Sequence, residues 1–269
     1  MKQIDFDHGT VTGNILGAAL PMLVAQILSL LYNIVDRMYI ARIPSVGTTA
    51  LGAVGLCFPI IVIITAFSNL FGSGGAPLFS INRGKGNIKK AEAIMNTSFS
   101  MLCICGVALM VIGMLFASPI LVLFGASEEG LSYAYPYMMI YLIGTVPSMI
   151  ATGMNPFINA QGYATSGMLS VTIGAVANLI LDPLFIFGLN LGIKGAAIAT
   201  IISQTLSAAY VFYFLRKKAE LKVRVLSKGE WKACRDDAKN IVSLGSAGFI
   251  MQLDRKSTRL NSSHGYRSR

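Results

Sequence analysis

Long apolar runs broken by short polar stretches dominate the chain. Six runs are long enough to cross a bilayer as helices: about 14–40, 51–80, 94–117, 134–157, 167–188 and 195–215. A hydrocarbon core of about 30 Å needs roughly 20 apolar residues in helical form. None of the six alternates strictly between apolar and polar positions, as a half-buried strand would. The pattern therefore predicts an all-α membrane protein built on a six-helix transmembrane bundle. A seventh run, "IVSLGSAGFIMQL", covers residues 241–253 and stops at Asp254. At 1.5 Å per residue it reaches only roughly 20 Å. It reads as the start of a seventh helix, truncated before an unrelated polar tail at 254–269. The expected organisation is a six-helix lobe over 1–215, a basic loop over 216–240, the partial helix and the tail.

Composition agrees. Of the 269 residues, 54% are hydrophobic and 13% charged, about half the charge of an ordinary soluble domain. Mean hydropathy is +0.63. The net charge of +10 would suggest nucleic acid in a soluble protein, but here it concentrates in two loops. Segment 82–92 carries Arg83, Lys85, Lys89 and Lys90 against Glu92, and segment 216–239 carries nine bases against four acids. The intervening loop 118–133 has Glu128 and Glu129 and no base. Basic loops stay in the cytoplasm, so the N-terminus is expected inside and Glu128 outside. The expected surroundings are the lipid bilayer, in the plasma membrane of a bacterium, with no nucleic acid. Of the four cysteines, Cys57, Cys103 and Cys105 sit in apolar runs and Cys234 in the basic loop. They form no metal-binding pattern.

Ionised residues inside the spans are few: Asp36, Arg37 and Asp182. A carboxylate at membrane depth costs about 2.5–3.5 kcal/mol even on the lenient insertion scale, so it signals function by default. Gln26, Ser29, Asn33 and Asp36 recur at spacings of 3, 4 and 3, and Asn178 and Asp182 are four apart, so each set shares one helical face. Pro183 has no N–H, which frees the carbonyl of Leu179 from its helical donor. Carboxylate, amide and freed carbonyl oxygens are hard ligands suited to a small cation. Thr200, Gln204 and Ser207 form a third polar stripe, and Thr65, Asn69 and Ser73 a fourth beside "GSGGA" at 72–76, which permits close helix contact. Span four adds Tyr137, Tyr141 and Asn155, with Pro147 and Pro156 as expected kinks. The plainer readings are an Asp36 pair with Arg37 or Arg42, and polar stripes that only bridge helices.

Several segments together resemble the multidrug and toxic compound extrusion (MATE) transporters, in particular their bacterial polyspecific branch. They are "PMLVAQILSLLYNIVDRMYIARI", "GGAPLFSINRGKGNIKKAEAIMNTSF", "LFGASEEG", "NAQGY" and "GAVANLILDPLFIFGLNLGIKGAAIATIISQ". The match runs from about residue 12 to 253. It implies a twelve-helix transporter of two pseudo-symmetric lobes, of which this chain supplies the N-terminal one and lacks the C-terminal lobe. It implies export of small-molecule cationic substrates in exchange for Na⁺ or H⁺, with no other cofactor and no enzymatic activity. Its ion site maps onto Asp36, Asn178 and Asp182, where Na⁺ is one candidate ligand, and onto Thr200. Tyr137 and Tyr141 both match a tyrosine of helix four. Gln26, Asn33, Asn69, Tyr137, Tyr141, Asn155 and Gln204 are the candidates for the substrate cavity. Arg37 and Asn159 depart from the pattern, and Arg37 would bias Asp36 towards a fixed ion pair.

Other readings fit less well. A flippase for lipid-linked sugars would want bases along its cavity. An intramembrane protease would want a GxGD motif, and a metal hydrolase would want histidines, but His8 and His264 lie near the ends. No GxxxxGK[ST] loop is present. A channel remains a further reading.

Overall fold

A computed structural model describes residues 4, 10–44, 46–226 and 229–264, with side chains characterised as far as Asp254. Among the described residues every regular element is helical. The spans are α1 (Val11–Ala41), α2 (Gly47–Gly84) and α3 (Ile88–Leu115), the short α4 (Ala117–Leu123), then α5 (Glu128–Ile143) and α6 (Thr145–Ala160). They continue as α7 (Ala164–Pro183), α8 (Gly192–Tyr213), the single turn α9 (Glu230–Ala233) and α10 (Arg235–His264). Five helices are long and apolar enough to cross a membrane, and α5 with α6 make a sixth span bent by 56°.

Local chemistry sets the helix starts. Thr10, Asn87 and Ser127 accept from the backbone N–H groups of Gly13, Lys90 and Gly130 and so cap α1, α3 and α5. The bend in the fourth span falls at Gly144, not at the expected prolines. Pro147 lies in the first turn of α6, where its missing N–H leaves no helical bond unmade. Pro156 is passed without a break.

α2 is the central helix, against which α3, α5, α6 and α10 pack, while α1 leans chiefly on α7 and α7 on α8. α1 exposes Leu16, Leu20, Leu23, Ile27, Leu30 and Ile34. An apolar face of that kind suits lipid or another apolar helix. The "GSGGA" stretch does bring backbones together. A side chain at Gly72 would strike the backbone of Gly153 in α6, and one at Gly74 would strike Ile241 and Gly245 in α10. α10 starts six residues ahead of the expected helix, and its helical backbone continues past Asp254 to His264. The helix therefore does not end where the apolar pattern does, and residues 265–269 lie outside the described residues.

The basic loops share one end of the bundle. Arg83 bridges Glu220 at 2.6 Å and donates to the carbonyl of Ala160, and Lys90 pairs with Asp237 at 2.6 Å. Residues 219–226 run along that end as a strap. Ala219, Leu221, Val223 and Leu226 are buried while Glu220, Lys222 and Arg224 point outward. Side chains of the bundle satisfy the strap's backbone. The Leu221 N–H donates to Gln161 Oε1 at 2.9 Å, that of Arg224 to Asn96 Oδ1 at 2.8 Å, and that of Leu226 to Ser100 Oγ at 3.1 Å.

Candidate functional site

Asp36 on α1 and Asp182 on α7 face each other at hydrogen-bonding separation near the end of the bundle opposite the basic loops. The α1–α7 contact makes this meeting possible, because each helix carries its acid on the side turned to the other. Asp182 is fully buried and Asn178 nearly so. Asn178 Nδ2 donates to Asp182 Oδ1 at 3.0 Å, the contact expected of residues one turn apart. When both acids are ionised, Asp36 Oδ1 and Asp182 Oδ2 are buried without a donor. Two facing carboxylates away from water repel one another unless a proton or cation lies between them.

Beyond Pro183 the helix widens. Residues 184–188 form a π-helical turn in which the Leu189 N–H donates to the Leu184 carbonyl at 2.9 Å. Such turns are rare and recur at functional sites. Gly195 on α8 lets this turn approach closely, since a Cβ there would lie 2.7 Å from the carbonyl carbon and oxygen of Phe185. Arg37 does not hold Asp36 as the sequence suggested. Its guanidinium lies over the Phe58 ring, 5.4 Å from the centroid, a cation–π contact.

A cavity of ≈ 380 Å³ opens between α1, α6, α7 and α8. Of the residues assigned to the ion site or the substrate cavity from sequence, Gln26, Asn155, Asn178, Thr200 and Gln204 line it. Thr200 Oγ1 donates to the carbonyl of Ala196 at 2.9 Å. Tyr141 is buried behind the wall, where its hydroxyl accepts from Gln204 Nε2 at 3.4 Å, and Tyr137 stacks on it. Tyr137 also lies within electrostatic reach of both carboxyls. Two candidates fall elsewhere. Asn33 is exposed and donates to the Ser29 carbonyl of its own helix at 2.7 Å. Asn69 donates to Gln252 Oε1 at 2.8 Å across the α2–α10 contact, so its stripe bridges helices and does not line the cavity. Sequence reasoning missed Tyr32, Ser148, Thr152 and Ser203, all in the lining. Tyr32 was reachable, since it lies three residues after Ser29 and four before Asp36. No lining side chain is ionised; the acids sit beside the cavity, joined to it by Asn178.

The sequence profile of the MatE family matches residues 21–184, which holds most of α1, all of α2 to α7, both acids and Asn178. The chain belongs to the MatE family. Proteins of this family are membrane transporters, not enzymes. The Multidrug export protein MepA of Staphylococcus haemolyticus is 28% identical over 247 residues, 91% of this chain and 54% of that protein. The FAD transporter of Shewanella oneidensis is 30% identical over 216 residues, 77% of this chain and 47% of that protein. Among solved structures, an outward-facing multidrug resistance MATE family transporter of the MOP superfamily is similar at 25% identity and TM-score 0.83. The alignment covers 94% of this chain and 55% of that one. The chain thus spans about half the length of the relatives it matches, as one lobe of the MatE fold.

Proposed function

We propose that this lobe serves a secondary active antiporter that exports cationic organic compounds in exchange for Na⁺ or H⁺. Asp36, Asn178, Asp182 and Thr200 form the coupling site. The observation that carries the reading is the meeting of Asp36 and Asp182 in a largely buried place where, among the described residues, neither carboxyl forms a salt bridge and Arg37 is the one base within electrostatic reach of Asp36. Such a pair cannot stay doubly ionised and dry, so it alternates between holding a coupling cation and favouring a cationic substrate nearby. The donors fit a proton or a monovalent ion. They are two carboxyls, an amide oxygen, a hydroxyl and the carbonyl freed by Pro183, all hard oxygens. Among the described residues no set of three His, Cys, Asp or Glu side chains converges as a divalent site would ask.

The absence of bases from the cavity lining works against a pyrophosphate-bearing sugar lipid, which would need Lys or Arg along the wall. The same absence favours cations over the flavin dinucleotide named for one relative. Alternating access requires a second bundle for this one to rock against, and the relatives' length supplies it. We place the N-terminus and the basic loops in the cytoplasm of a bacterium, with the acid pair in the outer half of the membrane.

The test is ethidium export from everted vesicles under an imposed Na⁺ or H⁺ gradient, with the chain joined to a second six-helix lobe. Asp36→Asn and Asp182→Asn are each expected to abolish export while membrane insertion is kept, since Asn preserves the shape and removes the charge. Asn178→Ala is expected to weaken coupling less. Export by Asp182→Asn at the unmutated rate would make the carboxylate structural and sink the mechanism.

A further inference from the structure

Arg37 is the only base within the six apolar runs of the chain. It follows Asp36 directly, yet the two form no salt bridge. Successive residues of an α-helix point about 100° apart, and neighbours in sequence do not face one another. Asp36 is turned to Asp182 on α7, while the Arg37 guanidinium reaches α2 and lies over the Phe58 ring, 5.4 Å from its centroid. The ring is half-buried and Arg37 is exposed. Arg37 nevertheless stays within electrostatic reach of Asp36. The other titratable groups that reach Asp36 are Asp182, Tyr32 on α1, and Tyr137 and Tyr141 on α5. Tyrosines are neutral at ordinary pH. The field at the acid pair is therefore that of two carboxyls and one standing cation.

The contact with Phe58 has a plainer use, which is to brace α1 against α2. Bracing alone asks for no charge, however, and a guanidinium in an apolar run is costly. The charge acquires a use from the site beside it. Two carboxyls with no positive charge near them would hold a bound cation tightly, whereas an antiporter has to release its ion in every cycle. A standing positive charge stabilises the pair when it is empty and ionised, and it opposes any further cation. A guanidinium bonded to Asp36 itself would occupy the site. The Phe58 ring offers Arg37 a place between these extremes, near enough to be felt and not on the carboxylate.

We propose that Arg37, held over Phe58, sets the affinity of the acid pair for its coupling ion, weakening the grip on Na⁺ or H⁺ so that the ion can leave. This rests on the antiport reading above and adds to it the residue that makes the ion releasable. Arg37 acts through its field on Asp36 and touches neither the ion nor the organic guest.

The experiment follows ethidium export from everted vesicles by the chain joined to a second six-helix lobe, while the Na⁺ or H⁺ concentration in the lumen is varied. The readout is the half-saturating concentration of the driving ion, which does not depend on how much protein is inserted. Arg37→Gln removes the charge and keeps a flat end that can lie on the ring. It is expected to lower the half-saturating concentration about 3- to 10-fold, the effect of one partly screened charge. Arg37→Glu reverses the charge and is expected to lower it further, whereas Arg37→Lys keeps the charge and is expected to stay within about twofold of the unmutated protein. Phe58→Leu frees the guanidinium into water, where it is screened, and is expected to shift the value in the direction of Arg37→Gln by a smaller factor. Equal shifts in Arg37→Gln and Arg37→Lys would make Arg37 a brace and overturn the proposal, as would unchanged values in Arg37→Gln and Arg37→Glu. These results leave the antiport reading intact. Export that ignores both gradients in the unmutated protein overturns that reading, and this proposal with it.

Discussion

Gln161→Ala should release the strap 219–226 from the end of the bundle that carries the basic loops. Gln161 is fully buried at the end of α6 and meets both backbone groups of Leu221, accepting from its N–H at 2.9 Å and donating towards its carbonyl at 3.4 Å. Its amide nitrogen also lies 3.8 Å from Met95 Sδ. Alanine removes both backbone partners and leaves the Leu221 N–H buried and unpaired, at about 1–3 kcal/mol. The space left beside Met95 adds about 1 kcal/mol. Local opening of the strap should therefore become easier by about 2–4 kcal/mol, or about 30- to 700-fold in population. Lys222 and Arg224 are trypsin sites whose side chains are already exposed; their backbone is what the strap protects. Where opening is fast relative to cleavage, the cutting rate follows the open population. Limited trypsin digestion should thus cut the variant at these two sites at least about 30-fold faster. Cleavage within about threefold of the unmutated rate would refute the assignment of the strap to Gln161.

Two further expectations bear on the site and its orientation. Gly195→Val should destabilise the protein by about 1–3 kcal/mol or more, because its Cβ would meet the Phe185 backbone at 2.7 Å; a denaturant midpoint equal to that of the unmutated chain would contradict the close packing of the π-helical turn. A cysteine placed at Glu128 should react with an impermeant maleimide added outside the cell, and labelling only from the cytoplasmic side would reverse the topology.

The sequence made the spans and the acid pair legible for one reason. A charge in a long apolar run costs so much that its presence is informative without any structure. Asp36 and Asp182 were found that way, Asn178 by its place one helical turn before Asp182, and the family resemblance led to the same residues. Polar stripes gave less, because a 3–4 spacing tells which residues share a face and nothing of what the face meets. Gln204 and Asn69 gave the same signal, yet Gln204 lines the cavity while Asn69 bridges to Gln252 on α10. Asn33 shows a second limit, since an amide beside its own helix carbonyls can bond Ser29 and face outward. The bend at Gly144 was hidden because a proline breaks a helix only past its first turn, and Pro147 falls within it. Gln161 and Asn96 stand at span ends, where polar residues are ordinary, so nothing in the sequence marked them as anchors of the strap.

Asn178 ties the acid pair to the neutral cavity, and this decides which substitutions are informative. Its nitrogen holds Asp182, and its oxygen is buried without a hydrogen-bond partner in a residue that walls the cavity. One amide cannot move one end without moving the other, so under the proposed antiport a substitution there perturbs the ion site and the cavity together. Asp182 touches the pair and is absent from the lining, whereas Gln204 lines the cavity and makes no contact with either acid. Residues without shared partners act nearly additively. Under the proposed antiport, the charge-removing change at Asp182 therefore reports on the ion site, and an isosteric change at Gln204 on the cavity. In the proposed antiport, the coupling cation or proton and the organic guest would influence each other through Asn178 and through the field of two carboxyls beside a cavity without ionised walls, where a low dielectric screens it little.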